Sequence, residues 1–136
     1  KGFNSDMTRT IAIGEISEEK RKIYEVVLEA QKTALGNIKA GASCKKVDAS
    51  ARDLIKSYGF GEYFGHGLGH GLGHEVHESP RLNQIYKGKL KVHNVVTVEP
   101  GIYIEGLGGV RIEDDVIVTE EGCEILNKTT KDLIVL

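Results

Sequence analysis

Apolar residues change their spacing near the middle of this chain, and the change separates a helical half from a strand-rich one. From Ser17 to about Ile38 the positions Ile23, Val26, Val27, Ala30, Ala34 and Ile38 recur with the period of an amphipathic helix. Ser17 predicts its N-cap, Glu18 and Glu19 suit the positive end of the helix dipole, and Gly41 stops the chain beyond it. A second helix is predicted from about Cys44 to Tyr58, capped by Ser43. Val47, Ala51, Leu54, Ile55 and Tyr58 form its apolar face and Gly59 closes it. Ahead of both, residues 3–13 carry Phe, Thr and Ile in the manner of a strand ended by Gly14. After Gly59 come short extended runs, around 64–77 and at 93–99, 102–105, 109–118 and 132–136. Turn signals separate them at Pro100-Gly101, Gly106 to Gly109 and Glu121-Gly122.

Strand, two helices and several antiparallel strands, in that order, predict an α+β domain with two helices packed on one face of a curved, mainly antiparallel sheet. The 136 residues suffice for one core and are too few to expect two. A net charge of −2, with acidic and basic residues interspersed, offers no electrostatic hold on nucleic acid or an anionic membrane, so neither is expected as a partner. Cys44 and Cys123 lie far apart and outside any C-x-x-C pattern, which reads as two free thiols in a cytoplasmic protein. Glycine is the anomaly: six of the 17 fall between Gly61 and Gly73, so the surplus needs a local cause.

The overlapping stretch from Gly65 to Glu78 holds four of the five histidines, His66, His70, His74 and His77. A helix would align the first three, but each interior glycine costs about 1 kcal/mol relative to alanine. In an extended chain the period of two places His66, Leu68, His70, Leu72 and His74 on one face and the glycines on the other. Glycine in a strand marks close approach of another element. The segment therefore reads as a strand passing beneath a neighbour while holding imidazoles toward a cavity. A hydrogen-bonded core histidine, a loose metal scavenger or an expression artefact are the bland alternatives.

The carboxylates extend the pattern. Glu99 ends the apolar run Val95-Val96-Thr97-Val98, where a glutamate must be paired, protonated or bound to a metal. Arg111, Glu113 and Asp115 alternate with the core candidates Val110 and Ile112, and Asp6 shares a face with Thr8 and Thr10. Each alone reads more readily as a rim carboxylate or a structural ion pair. Three isolated carboxylates with a histidine and no nearby cysteine suit manganese, cobalt, iron or zinc, and the carboxylate excess favours a bridged pair of ions.

Taken in order, Ser5-Asp6-Met7-Thr8-Arg9-Thr10, Phe64-Gly65-His66-Gly67-Leu68-Gly69-His70, Glu75-Val76-His77-Glu78 with Pro80, Thr97-Val98-Glu99-Pro100-Gly101-Ile102-Tyr103 and Val110-Arg111-Ile112-Glu113-Asp114-Asp115 resemble the pita-bread metallopeptidases. That superfamily comprises prolidase (Xaa-Pro dipeptidase), aminopeptidase P and methionine aminopeptidase, and the resemblance runs from Lys1 to about Asn127. It implies a partial pita-bread fold, with residues 1–136 as the C-terminal part of the catalytic domain. The N-terminal domain and the first half of the catalytic domain would lie outside them. It also implies two divalent metal ions, manganese first, with cobalt, zinc or iron as alternatives. Asp6 and Glu113 would bridge the ions, and His70 and Glu99 would complete one of them. A further aspartate, expected upstream of Lys1, would hold the other, so these residues alone are expected to bind metal incompletely and to be inactive.

The same resemblance assigns Glu99 as general base to a metal-activated hydroxide. His66 and His77 would contact substrate and assist proton transfer. Arg111 would orient the ligands from behind, and Tyr103 would either do the same or pack in the core. His74 stands where the family usually has an aliphatic residue; alternation would turn it toward the site as an extra ligand or donor. The implied reaction is hydrolysis of N-terminal Xaa-Pro bonds in a peptide with proline second, by a cytoplasmic homodimer. A methionine aminopeptidase-like enzyme, a non-catalytic binding protein and a metal-free creatinase-like hydrolase are the alternatives on the same scaffold.

Overall fold

Both helices form where their caps and stripes put them. In the computed structural model, which describes residues 1–136, α1 spans Glu18–Gly36 and α2 spans Cys44–Ser57. The Ser17 hydroxyl accepts the Lys20 amide N–H, and the Ser43 hydroxyl accepts that of Lys46, so each cap satisfies a donor the helix leaves free. α1 ends before the predicted Ile38 because Asn37 caps it and donates from Nδ2 back to the Thr33 carbonyl. Ile38 is nevertheless buried. Tyr58, expected on the apolar face of α2, is 43% exposed and donates its hydroxyl to Glu29.

Seven strands follow: β1 Gly69–Gly71, β2 Glu78–Leu82, β3 Val95–Val98, β4 Gly101–Ile104, β5 Gly108–Arg111, β6 Asp114–Val118 and β7 Cys123–Ile125. Five form one sheet in the order β2-β1-β3-β6-β7, β4 and β5 make a separate hairpin, and every pairing is antiparallel. Ile23, Val27, Ala30, Val47, Ala51 and Ile55 of the helices meet Val96, Val98, Ile102 and Val116 in a single core. Burying each large aliphatic side chain there stabilises the fold by about 1.5–3 kcal/mol before entropy is subtracted. Val96, Thr97 and Val98 are all fully buried, as a central strand requires.

Several predicted strands take another form. Residues 3–13 make only isolated bridges, Thr8 with Glu113 and Ala12 with Val135, because their backbone groups are divided among three distant partners. Asn4 N–H bonds Gly73 O, Glu113 N–H bonds Thr8 O, and Ala12 N–H bonds Ile134 O. The run 64–77 keeps regular pairing only at β1, and Gly73 to His77 bends away. The run 109–118 splits at Ile112 and Glu113, where Glu113 N–H leaves the ladder for Thr8. Residues 132–136 contribute one bridge, and β7 forms unforeseen beyond the Glu121-Gly122 turn.

Close approach accounts for the glycines of β1. A Cβ on Gly69 would lie 2.8 Å from the Thr97 carbonyl carbon and nearer still to its oxygen, and one on Gly71 would lie 2.6 Å from the Ser79 carbonyl carbon. No side chain fits there.

Candidate metal centre

Sheet order brings the site together. β1 carries His70, β3 leads directly into Glu99, Glu113 sits just ahead of β6, and these three strands are neighbours. The segment before α1 crosses them and adds Asp6, held there because the Asp115 carboxylate accepts both the Asp6 amide N–H at 2.9 Å and the Ser5 hydroxyl at 3.2 Å. Ligand atoms of Asp6, His70 and Glu113 all lie within 4.8 Å of one another. His70 Nε2 is 3.1 Å from Glu99 Oε1 and 3.9 Å from Asp6 Oδ2.

Each of these groups is aimed by a neighbour. His70 Nδ1 lies 2.9 Å from the Gly71 carbonyl, which can only accept, so Nδ1 carries a proton and Nε2 faces the carboxylates. The buried Thr97 hydroxyl accepts the His70 amide N–H and donates to Glu99 Oε1 at 2.9 Å. Thr8 donates a short hydrogen bond to Glu113 Oε2 and accepts from Arg111 Nε at 3.0 Å. Arg111 itself stands 3.7 Å from Glu113. Behind Glu113, the fully buried Asp114 receives Arg9 at 2.7 Å, Lys131 at 2.6 Å and Gln31 at 2.8 Å. Arg9 also donates to the Glu113 carbonyl at 2.6 Å, so this network fixes the backbone from which Glu113 projects.

The electrostatics show what the site would accept. Burial pushes the Glu113 carboxyl up to about 7, the Thr8 hydroxyl working against it and the Glu99 and Asp6 charges adding to it. Burial would raise Glu99 too, but hydrogen bonds from His70 and Thr97 outweigh it and hold its carboxyl below the ordinary value. For His70, burial opposes the charged form, and the Glu99 and Gly71 bonds with the Glu99 and Asp6 charges prevail and raise it. Three carboxylates around one imidazole, with Arg111 as the nearest full cation, leave a surplus of negative charge that a divalent ion would neutralise. Oxygen donors plus one imidazole and no thiolate fit a hard or borderline ion. The residues fit the group.

The remaining predicted residues divide. His77 places its ring 4.2 Å from that of His70, on the exposed side. His66 Nδ1 donates to the Gly67 carbonyl at 2.8 Å, leaving Nε2 to accept the Tyr103 hydroxyl at 2.8 Å. Tyr103 is therefore a rim residue, 40% exposed, not a packed core tyrosine. Burial raises its pKa first, Arg111 opposes, and Glu99 and Glu113 add to the rise. His74 departs from the expectation. The alternation ends where the chain bends after Leu72, and His74 is exposed and packed on Phe3 with ring centroids 4.4 Å apart. Thr8, Thr97 and the Asp114 network were not foreseen as parts of the site. Thr97 precedes Glu99 by two on one strand face, the single local signal that could have marked it.

The sequence pattern of metallopeptidase family M24 matches residues 1–120. A curated relative, the Xaa-Pro dipeptidase of Pyrococcus furiosus, is 54% identical over 132 residues, which are 97% of this chain and 38% of that protein. Among solved structures, the Xaa-Pro dipeptidase from Bacillus anthracis superposes with a TM-score of 0.98 at 54% identity, covering 99% of this chain and 38% of that one. The X-Pro aminopeptidase from Thermotoga maritima superposes at 0.96 with 47% identity and the same coverage. The chain thus spans 38% of the length of these relatives, and its fold is the pita-bread arrangement they share over that span.

Proposed function

This chain belongs to metallopeptidase family M24, and from that premise we propose that the protein it forms part of hydrolyses Xaa-Pro bonds at the N-terminus of peptides. The convergence of ligand atoms from Asp6, His70 and Glu113 within 4.8 Å, with Glu99 bonded to the same imidazole, carries the proposal. The names of the relatives support the substrate class. In this reading the 136 residues are the C-terminal part of the catalytic domain. Asp6, His70, Glu99 and Glu113 would hold divalent ions, with an aspartate outside these residues as a further ligand. Manganese is our first choice, ahead of cobalt, zinc or iron. The two free thiols fit the cytoplasm, where we place the enzyme as a homodimer.

When bound, the ions supply Lewis acidity toward the scissile carbonyl and lower the pKa of a water molecule. Glu99, ionised at neutral pH through its bonds from His70 and Thr97, accepts a proton at its carboxylate. His66 and His77 contact the peptide at the rim and move protons around the reacting carbon. The Tyr103 hydroxyl keeps the His66 ring oriented for that task. Arg111 holds Thr8, and Thr8 holds Glu113.

The test is a substrate panel on the full-length protein: Xaa-Pro dipeptides, longer peptides with proline second, and methionine-initiated peptides. Cleavage before proline is expected. Selective release of methionine would overturn the proposal in favour of a methionine aminopeptidase-like enzyme.

A further inference from the structure

The segment that carries His66 has little regular hydrogen bonding of its own, and an ion pair on α2 supplies it. Between Phe64 and Leu68 the backbone is irregular, so its buried polar groups need partners outside a ladder. Arg52 engages all three of its guanidinium nitrogens, two of them on this backbone. Nη1 donates to the Phe64 carbonyl at 2.9 Å, and Nη2 donates to the His66 carbonyl at 2.8 Å and to Asp48 Oδ1 at 2.9 Å. Nε donates to Asp48 Oδ2 at 2.8 Å. Asp48 is 0% exposed, and its Oδ1 also accepts the Leu68 amide N–H at 3.0 Å. The guanidinium lies 4.2 Å above the centre of the Phe64 ring, which meets the His66 ring edge-on at 5.1 Å. The Leu68 carbonyl in turn accepts the Glu99 amide N–H at 2.8 Å.

Stability alone does not call for charges here. Taking an ion pair out of water is costly, and apolar replacements of similar volume are often neutral or stabilising. What the pair adds is direction. Arginine presents its donors in a fixed planar fork, which serves a carboxylate and two carbonyls at once, whereas a lysine ammonium is a single point on a flexible stem. His66 is fixed at its other end by Gly67 and Tyr103. With residues 64, 66 and 68 clamped and both ring nitrogens engaged, the imidazole has one orientation.

We propose that Asp48 and Arg52 form a positioning clamp that sets His66 for the reaction. The inference rests on the role proposed above for His66. Its test uses metal-loaded full-length protein carrying Arg52→Lys. Asp48→Asn, which keeps an acceptor for the Leu68 amide, carries the same readouts should the first variant not fold. Amide hydrogen exchange read by mass spectrometry needs no substrate. The clamp predicts exchange across residues 64–68 faster by on the order of tenfold, with α1, β3 and metal content unchanged. Unaltered exchange there would overturn the clamp whatever the protein cleaves.

Activity then tests its service to His66. Arg52→Lys is expected to lower kcat/KM by roughly ten- to a hundredfold, as slight misplacement of a catalytic group does. His66→Ala should cost more, and the double variant no more than His66→Ala alone. Losses that multiply in the double variant, or full activity alongside faster exchange, would overturn the link to His66. A wild type that shows the clamp by exchange yet cleaves no Xaa-Pro peptide would sink the proposed function and the link to catalysis while supporting the clamp itself.

Discussion

Replacing Gly69 by alanine tests whether the tight passage of β1 beside β3 is what positions His70. The added Cβ would sit 2.8 Å from the Thr97 carbonyl carbon, whereas ordinary contact begins at 3.4 Å, so the strands must separate by at least that 0.6 Å difference. The obstacle is backbone, which has no alternative rotamer. Overpacking of this kind costs about 1–3 kcal/mol, and denaturant unfolding of the full-length protein should show a loss of that size. The displacement also exceeds the roughly 0.5 Å within which a binding constellation must be held. Thr97 is the residue whose hydroxyl links the His70 amide to Glu99, so the movement strikes the site directly. Calorimetric titration with manganese should then show affinity reduced by at least about tenfold, since losing one well-placed orienting contact around a ligand costs ten- to a hundredfold. Gly69 needs no left-handed backbone, so conformational strain does not confuse the result. Wild-type stability and affinity in Gly69→Ala would refute the claim that this close approach builds the site.

Asp114→Asn should destabilise the protein by about 3–5 kcal/mol at pH 7, because Arg9 and Lys131 lose a fully buried partner. Burial would raise the Asp114 carboxyl, but its bonds from Lys131, Arg9 and Gln31 hold it below the ordinary aspartate value of 3.8. Its stabilisation is therefore present above that pH and lost as pH falls through the folded value, so the unfolding curves of wild type and the Asp114→Asn variant should converge in acid. Glu113 behaves oppositely: with its carboxyl raised to about 7 in the cation-free protein, it favours the folded state at low pH and loses that contribution as pH rises from 4.5 through 7. Divalent cation should reverse this loss, and calorimetry in buffers of different ionisation enthalpy should detect proton release on binding below pH 7. Binding without proton uptake or release across pH 5–7 would contradict the raised carboxyl.

Local chemistry made the helices legible: Ser17, Ser43 and the apolar stripes need only the residues within a few turns. The glycine argument worked because a missing side chain reports close approach whatever the partner: Gly69 and Gly71 lie where β3 and β2 press on β1. Alternation failed beyond Leu72 because the bend is held from afar, by Asn4 Nδ2 donating to the carbonyls of Gly73 and His74. His74 could not be placed without knowing that contact. Residues 3–13 have a strand's composition, but their partners are scattered along the chain, and composition does not report partners. The alternation of Arg111, Glu113 and Asp115 separated them from Val110 and Ile112, yet could not tell that Asp114 turns inward to meet Gln31, Arg9 and Lys131. Hydroxyls such as Thr8 and Thr97 acquire meaning only beside the carboxylates they orient.

The central claim is that Asp6, His70, Glu99 and Glu113 together hold divalent cations. Manganese titration and elemental analysis of the full-length protein, beside Asp6→Asn, His70→Ala, Glu99→Gln and Glu113→Gln, test it most directly. The account predicts about two equivalents in the wild type and, in each variant, loss of an ion or affinity at least about tenfold weaker with folding retained. A wild type that takes up no transition metal, or four variants that bind as it does, would contradict it.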